Sequence, residues 1–366
     1  MRVLVVNAGS SSLKLRLLDA ADTVERSADL PAGTGGFSIS GLAGALHGWP
    51  EPDVVGHRIV HGGTAFTGPV RIDQAVRQQL HDLTALAPLH QPKSLAALDT
   101  VSAHLPGVPA VACFDTAFHT TIPPAAATYA IPREWQRRYP IRRYGFHGLS
   151  HAYCSRRAAE LLGQPAASLR IITCHLGAGA SLAAVLGGRS VDTTMGFTPL
   201  EGLVMATRSG TVDPGLVLWL EEHEHLSPHD VSVALEQRSG LTALAGTPDM
   251  RQVEAAADRG EPDARLALDV YLHRLAAGIA AMAAAAGGID VLAFTGGVGE
   301  NSPPVRQGAT DRVAFLGVAI DPARNDTDTP QPDCDISAAG TAVRTLVVSA
   351  REDLEIAREV RQLLQG

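Results

Sequence analysis

The sequence predicts an α/β protein built from two halves of similar plan, and three patterns favour that fold class. Residues 3–19 contain an apolar run, a turn of small residues and an alternating stretch, which is typical of a buried strand, a tight polar turn and a half-exposed strand. The same order of patterns recurs at residues 170–192. Further buried strands are predicted at 53–60, 109–114 and 289–295, and a turn or a helical pattern follows each of them.

The composition excludes several classes of function. The chain has 366 residues, which favours two or three domains, and 45% of them are hydrophobic. A net charge of −8 argues against a nucleic-acid or anionic-membrane partner, and an aromatic fraction of 4% argues against a stacking surface for single strands. We expect no apolar run to cross a bilayer and no signal peptide. The cysteines show no CxxC pairing, so we expect reduced thiols in a cytoplasmic protein: Cys113, Cys154, Cys174 and Cys334.

The turn at residues 7–12 is a candidate anion site. Its side chains are small, and successive backbone N–H groups and serine hydroxyls in such a turn form a concavity for an anion. Asn7 offers an oxygen to a hard cation, and Lys14 adds a positive charge just beyond the turn. An ordinary hairpin with a polar loop is the alternative that this stretch alone leaves open.

Two charged residues mark the predicted strands of the first half. Arg58 lies inside an apolar run, so it is either paired within the fold or aimed at an anionic ligand. His57 and His61 flank it on a strand rather than a helix, and we favour non-metal roles for both. Asp115 follows a buried strand, at the end where open α/β sheets place their ligands.

The second half repeats the anion-binding pattern. A small-residue turn covers 176–181, and a glycine turn at 296–301 follows a strand and precedes a helix. A cleft between two similar α/β domains, each with such a turn, suits a nucleoside triphosphate. The acidic and histidine residues at 222–225 favour a solvated helix end over a metal site.

The remaining patterns predict helices, turns and one last strand at 342–349. Helices are predicted over 72–86, 94–104, 214–224, 228–237 and 261–286, and others begin near Ser150 and near Arg351. The helix at 261–286 is expected to be buried, because its apolar residues spread round the whole cylinder. Turns are expected within 20–50 and a loop over 240–251.

Seven blocks of sequence, in this order, resemble the acetate kinase family, which is the acetokinase group of the actin, Hsp70 and sugar-kinase superfamily. The blocks are 5–14, 57–63, 114–119, 144–148, 192–213, 295–301 and 352–359. The resemblance implies two similar actin-like, ribonuclease H-like domains that flank a nucleotide cleft. The first domain would span 1–114 plus 353–366, and the second would span 115–352.

The resemblance also implies an activity and its partners. The expected reaction is the reversible, ATP-dependent phosphorylation of acetate to acetyl phosphate by direct in-line transfer, a step toward acetyl-CoA biosynthesis. Mg²⁺ is the expected metal, with Mn²⁺ as a substitute, and ATP and ADP are substrates. The expected assembly is a homodimer, with no nucleic-acid or membrane partner.

Roles are carried over residue by residue. Catalytic roles are implied for Asp115, His147, Arg208 and His90. Binding of the acyl substrate is implied for Arg58, Val60, Leu89, Phe146 and Pro199. Metal binding is implied for Asn7 and Glu352. ATP binding is implied for Lys14, Ser10, Ser12, His175, Leu176, Gly177, Ala178, Gly179, Asp249, Met250, Arg251, Gly297, Val298, Gly299, Glu300 and Asn301.

The chemistry of these residue types agrees with phosphoryl transfer to a carboxylate. Arg58 and Arg208 supply planar donors for carboxylate and phosphoryl oxygens, and His147 can donate to an equatorial oxygen. A carboxylic acid is already ionised at neutral pH and needs no general base. Asp115 is therefore expected to orient an arginine or a metal-bound water.

Four features depart from the family pattern, and two other functions stay open. Ala178 stands where the family usually has asparagine, Thr211 replaces an acidic residue, Thr242 and Ala243 alter a loop, and the region 20–50 is short. A propionate or butyrate kinase would differ at the acyl pocket. A non-catalytic nucleotide-switch module of the same superfamily would not need two arginines at an apolar pocket.

Overall fold

The computed structural model describes residues 1–9, 12–31, 39–87, 91–326 and 333–365, without the side chains of Ile39, Ser40 and Ala85. The chain divides into two compact units. The first comprises Met1–Thr120, Phe146–Tyr153 and Arg351–Gly366, and the second comprises Thr121–Gly145 and Cys154–Ala350. The predicted boundaries differ from these units chiefly at Phe146–Tyr153, which the sequence assigned to the second domain. Leu149 of this segment packs in the core of the first unit.

The described strands are twelve, numbered in chain order. They are β1 Val3–Ala8, β2 Ser12–Leu18, β3 Val24–Pro31, β4 Val54–Ile59, β5 Val70–Arg71, β6 Ala110–Phe114, β7 Arg170–Leu176, β8 Ala180–Leu186, β9 Arg189–Thr193, β10 Val291–Thr295, β11 Cys334–Asp335 and β12 Arg344–Val347.

The described α-helices are fifteen. They are α1 Ile39–Leu46, α2 Gln74–Asp82, α3 Gln91–His104, α4 Pro124–Ala127, α5 Arg133–Arg138, α6 Gly148–Leu161, α7 Pro214–Glu222, α8 Pro228–Gln237, α9 Gly240–Ala245, α10 Met250–Asp258, α11 Pro262–Ala285, α12 Gly296–Asn301, α13 Pro303–Arg312, α14 Pro322–Asn325 and α15 Glu352–Gln365. Short 3₁₀ helices cover Leu83–Leu86, Ala117–Thr121, Ala166–Ser168 and Ala314–Leu316.

The two sheets have the same topology, which confirms the predicted repeat. The first has the strand order β3-β2-β1-β4-β6-β5, and the second has the order β9-β8-β7-β10-β12-β11. In each sheet, three strands form an antiparallel meander, and the last of them is followed by two strands parallel to it. A single antiparallel strand then forms the edge of the sheet. The opening motif therefore corresponds to β1–β2 and its recurrence to β7–β8.

The central strands are apolar throughout because both faces of the sheet are covered. Val3 and Val5 of β1 pack with Ile356 of α15 on one face. Leu4 and Val6 pack with Leu42 and other apolar groups on the other face. A strand buried on both sides has no need of polar alternation, which explains the continuous run in the sequence.

Helix α11 is buried on one side rather than all round. Tyr271, Leu275 and Ile279 are buried, whereas Leu266 is 57% exposed. Gly278 brings the helix close to β8, because a Cβ there would lie 2.8 Å from Cδ1 of Leu182. By length and composition α11 could cross a membrane, with 44% of its apolar window buried. The expectation that no segment passes this test is therefore wrong, although α11 serves here as a core helix.

The helix expected near Ser150 is confirmed and begins at Gly148. Two local predictions are corrected: the loop expected over 240–251 contains α9, and the glycine turn at 296–301 is the short helix α12. Gly240 starts α9 with φ +63°, where a Cβ would overlap the backbone of residue 205. Glycine at these positions permits close approach of another chain segment, so it does not mark a loop. Residues 20–50 contain β3 and α1 besides their turns.

Candidate active site

Polar residues of the first unit converge where three parallel strands end. Asn7 lies near the end of β1, Arg58 near the end of β4, and Asp115 directly after β6. The register pairs Val6 with His57 and Arg58 with Cys113, so these ends are level with one another. Parallel strands place their carboxyl ends on one edge of a sheet, which is where such sheets bind ligands.

Arg58 and Asp115 form a close ion pair. Nη2 of Arg58 lies 2.6 Å from Oδ2 of Asp115, and Nε donates to both carboxylate oxygens at 3.0–3.1 Å. Nη1 donates to Oδ1 of Asn7 at 3.2 Å. Of the two alternatives for Arg58, internal pairing is thus realised. The pairing leaves one N–H on each terminal nitrogen for a substrate oxygen, because a guanidinium has five N–H donors.

Neighbouring carboxylates keep the Arg58 guanidinium charged. Burial disfavours the Arg58 guanidinium, but the carboxylates of Asp115 and Glu352 outweigh that effect and raise its pKa above the ordinary value. Burial also raises the pKa of Asp115, and Glu352 adds to this, while Arg58 opposes both. The Asp115 side chain is 1% exposed and that of Arg58 is 14% exposed. Asp115 therefore binds the guanidinium directly, and Glu352 acts on it through its charge.

Asn7 links that ion pair to the start of the last helix. Its Nδ2 donates to Oε2 of Glu352, the first residue of α15, at 2.6 Å. The oxygen donors of Asn7, Asp115 and Glu352 are the hard ligands that Mg²⁺ takes, mostly through its own waters. Lys14 is exposed and stands opposite Asn7 in the β1–β2 pair, so both side chains lie on the same face.

The segment 146–148 is hydrogen-bonded to the chain that follows β6, at Asp115 and His119. The backbone N–H of Gly148 donates to the carbonyl of Asp115 at 2.8 Å, and a Cβ at Gly148 would overlap that carbonyl. Nε2 of His119 lies 3.0 Å from the carbonyl of Phe146. His147 adopts φ +56°, an uncommon left-handed conformation for a non-glycine residue that is typical of functional sites. The structure thus brings His147 to the chain segment that carries Asp115.

The apolar candidates of the first unit are only in part described. Val60 and Phe146 are buried, and the Phe146 ring meets His61 edge-on at 5.5 Å. The apolar candidate Leu89 lies outside the described residues, as do the candidates Ser10 and His90. Ser12 begins β2 and is half-buried.

His57 and His61 are both buried. Burial lowers the pKa of His57 to about 3 and that of His61 to about 4, so both rings are neutral near pH 7. The described part of the chain contains no group of three or more metal-ligating His, Cys, Asp or Glu side chains.

The ATP candidates of the second unit cluster at the ends of β7 and β10. Thr295 of β10 pairs with His175 of β7, so the turn at 177–179 and helix α12 begin side by side. Gly296 lies close to the backbone of Leu176 and has φ +80°. A Cβ on Gly296 would lie 2.9 Å from the carbonyl oxygen of Leu176. Its N–H donates to Oε1 of Glu300 at 3.0 Å. Gly297 borders open space, which leaves the start of α12 accessible.

The third ATP segment reaches the same region through helix α10. Asp249 caps α10 and pairs with Arg251 at 2.6 Å, and the Arg251 side chain is 86% exposed. Glu254, one turn further, accepts a hydrogen bond from Ser302, which follows α12. The structure therefore places the segments 175–179 and 297–301 side by side and brings helix α10, which follows Asp249, next to the end of α12.

Two of the departures from the family pattern have defined contacts. The carbonyl of Ala178 accepts from the N–H of Ala206 at 3.1 Å. Thr242 lies in α9, and its hydroxyl donates to the carbonyl of Ala206 at 3.0 Å. Ala178 and Thr242 therefore both hydrogen-bond to the backbone of Ala206.

Arg208 lies in the second unit and contacts Pro199. Nη1 donates to the Pro199 carbonyl at 3.1 Å, and burial lowers the pKa of Arg208 below its ordinary value. Sequence reasoning named both residues but gave no link between them.

Sequence reasoning missed several supporting residues. Gln91 is fully buried; its Oε1 accepts from the His61 N–H at 3.1 Å, and its Nε2 donates to the His61 carbonyl at 3.2 Å. His119 supports Phe146, as described above. A glutamine directly before Pro92, in the stretch that precedes the helix predicted over 94–104, was the available signal for Gln91, but no spacing in the sequence pointed to His119.

The repeated sheets, with polar turns and a helix N-terminus at the ends of parallel strands, define an actin-like α/β protein of the phosphotransferase class. A model of the Acetokinase family matches residues 48–358. The chain belongs to the acetokinase family.

Named relatives and solved structures agree. The chain is 46% identical to an acetate kinase of Gloeobacter violaceus over 407 residues, with 100% of each chain covered. It is 42% identical to an acetate kinase of Thermotoga maritima, covering 100% of this chain and 99% of the relative. The crystal structure of Porphyromonas gingivalis acetate kinase matches with a TM-score of 0.89 at 36% identity, covering 99% of both chains. A propionate kinase from Francisella tularensis matches equally well, at 34% identity and 98% coverage of both chains.

Proposed function

We propose that this chain transfers the γ-phosphoryl group of ATP to acetate, reversibly, to give acetyl phosphate and ADP. The observation that carries the proposal is the hydrogen-bonded group of Asn7, Arg58, Asp115 and Glu352 at the ends of parallel strands. It offers a held guanidinium for a carboxylate or phosphoryl oxygen, with oxygen donors beside it. The curated names of full-length relatives support acetate as the acceptor.

In this mechanism a carboxylate oxygen of acetate attacks the γ-phosphorus in line with the leaving oxygen of ADP. A P–O bond to acetate forms as the P–O bond to ADP breaks, and no proton moves. Arg58 binds and orients oxygens of the reacting groups, while Asp115 fixes the guanidinium and does not act as a base. His147 donates to a phosphoryl oxygen, and Arg208 supplies the second guanidinium.

Magnesium is part of the proposal. Asn7 and Glu352, with Asp115 beside them, would hold the ion through its waters. When bound, Mg²⁺ neutralises charge on the ATP phosphates. The roles proposed for Ser10, Leu89 and His90 rest on the family resemblance alone.

ATP binding is proposed for the segments 175–179, 249–251 and 297–301 of the second unit, and the same role for Ser12 and Lys14 of the first unit rests on the family resemblance alone. The accessible start of α12 and the glycine turn after β7 offer backbone N–H groups of the kind that bind phosphates. A cytoplasmic location is also proposed, and free thiols at all four cysteines support it. The product acetyl phosphate places the reaction next to acetyl-CoA biosynthesis.

The first test measures ADP formation from ATP with acetate, propionate or butyrate as acceptor. We expect acetate to be best, propionate poorer by about 10–200-fold in kcat/KM, and butyrate nearly inactive, because apolar pockets reject one added carbon only to this extent. Arg58→Lys should lower kcat/KM for acetate about a hundredfold, since lysine cannot hold the fork geometry.

Arg26→Lys, at an exposed position on β3, is the matched control and should keep full activity. A propionate-to-acetate ratio above one would make the chain a propionate kinase. ADP formation that does not depend on any carboxylate would favour the nucleotide-switch alternative.

A further inference from the structure

A half-buried arginine of the second unit, Arg143, binds the chain that follows β9. Nη1 of Arg143 lies 3.1–3.3 Å from the carbonyl oxygens of Thr193, Thr194 and Met195. Nη2 of the same guanidinium donates to Oε1 of Glu201 at 2.7 Å. One side chain thus binds both ends of the segment 193–201, which we name the 193–201 loop.

The middle of the 193–201 loop is held by a tyrosine. The hydroxyl of Tyr129 accepts from the backbone N–H of Phe197 at 2.9 Å and donates to Oε2 of Glu201 at 2.6 Å. The Arg143 guanidinium also lies over the Tyr129 ring, 5.6 Å from its centroid. Burial raises the pKa of Tyr129, with Glu201 adding to the effect, so the hydroxyl stays a donor at neutral pH.

Glycine 196 shows how closely this group packs. A Cβ at Gly196 would overlap both Glu201 and the Tyr129 hydroxyl. The carbonyl of Gly196 accepts from the N–H groups of Tyr144 and Gly145 at 3.0 and 3.3 Å. The loop is therefore bound by side chains and by backbone, without a regular helix or strand.

The 193–201 loop carries one contact of a proposed catalytic group. The carbonyl of Pro199 accepts from Nη1 of Arg208 at 3.1 Å. A buried or half-buried ion pair adds little net stability by itself, and its better attested use is to select one geometry. The side chains of Arg143 and Glu201 are 17% and 33% exposed, so this reasoning applies to them.

We propose that Tyr129, Arg143 and Glu201 are positioning residues, which hold the 193–201 loop so that Pro199 orients the Arg208 guanidinium for the carboxylate substrate. This inference rests on the proposed function for its kinetic consequence. Its structural part, the holding of the loop, does not depend on activity.

The test is Tyr129→Phe, which keeps the ring and removes the hydroxyl. Loss of its hydrogen bonds should raise the acetate KM about three- to tenfold and leave the ATP KM unchanged. Hydrogen–deuterium exchange at the Phe197 amide should become faster, because that N–H loses its acceptor. The matched control Tyr139→Phe changes an exposed tyrosine of the same unit and should alter neither measurement.

A second pair of variants separates positioning from general damage. Glu201→Gln keeps one acceptor oxygen, for either Arg143 or Tyr129 but not for both, whereas Glu201→Ala keeps none, so Glu201→Gln should retain more acetate affinity than Glu201→Ala. Unchanged exchange at Phe197 in Tyr129→Phe, or equal rises in both KM values, would overturn the inference. Wild-type protein without acetate-dependent turnover would refute the proposed function, and the exchange measurement would still decide whether Tyr129 holds the loop.

Discussion

At the scale of single residues, the site depends on how charges are shared. Arg58 carries one positive charge between Asp115 and the nearby Glu352, and Asn7 bridges them. Removal of the Asp115 carboxylate and removal of the Glu352 carboxylate should have different effects. Without Asp115 the guanidinium loses its two-point anchor, whereas without Glu352 a negative charge beside it is lost, and this is the charge that we propose attracts a divalent cation.

Glu352→Gln should therefore raise the Mg²⁺ concentration needed for half-maximal activity by about 10–100-fold and lower kcat at limiting metal. The substitution keeps an oxygen for Asn7, so the local fold is preserved. Metal titration of the ADP-forming reaction measures the effect. Glu51→Gln, at an exposed position, is the control. An unchanged Mg²⁺ requirement in Glu352→Gln would remove this residue from the metal site.

At the scale of elements, helix α15 joins the site to the core of the first unit. Its first residue binds Asn7, and one turn on, Ile356 packs where Gly56 leaves no room for a Cβ, which would lie 2.6 Å from Cγ2 of Ile356. The buried face of the same helix carries Glu359, whose Oε2 has no hydrogen-bond partner among the described residues. Burial raises the pKa of Glu359 to about 7, with Glu355 adding to the shift.

This shift predicts a pH-dependent stability. A carboxyl with a raised folded-state pKa stabilises the fold fully below its unfolded pKa of 4.5, and this stabilisation is lost as pH rises through 7. Glu359→Gln should thus gain stability relative to wild type between pH 5 and pH 8, by up to about 3 kcal/mol. Urea denaturation of both proteins at the two pH values measures the difference.

Comparing the two proteins at each pH isolates Glu359 from other buried groups. Burial lowers the pKa of His57, which acts in the opposite sense below pH 6.5 in both proteins. The groups that influence the pKa of Glu359 are Glu355, Cys113, Arg358 and Asp115, and they are unchanged in the variant. A constant stability difference across this range would contradict the raised pKa.

At the scale of the whole molecule, the chain is two copies of one sheet plan that serve different proposed tasks. The first unit holds the charged group around Arg58, and the second holds the clustered ATP candidates. The second unit also exposes several large apolar side chains on and near α7: Leu216, Leu218, Trp219 and Leu226. Exposed apolar patches on a stable protein are typical of protein–protein contacts.

We therefore expect a homodimer, and sedimentation over a range of protein concentrations measures it. Trp219→Asp should shift the equilibrium toward monomer, because a charge placed in an apolar contact is desolvated without a partner. Trp135→Asp is the matched control, since Trp135 is 51% exposed and Trp219 is 46% exposed. A wild-type protein that sediments as a monomer at every concentration would refute the assembly.

Much of the fold was predictable because its signals are local. The bounds of α8 and the strand at β6 follow from capping residues and apolar runs in their own segments. The short helices α9 and α12 were not predictable in this way. Their glycines are typical of loops, and only the close backbone of a distant segment shows why glycine is needed there.

The sequence by itself determined the repeated α/β plan, the family and the identity of the charged candidates, because strand patterns and motif residues are contiguous along the chain. Only the tertiary structure decided that Arg58 pairs with Asp115, that Asn7 reaches Glu352, and that Tyr129 and Glu201 hold the 193–201 loop. These contacts join residues far apart in sequence. No local pattern encodes them, since they depend on which strand ends and helix starts the folded sheets bring to one edge.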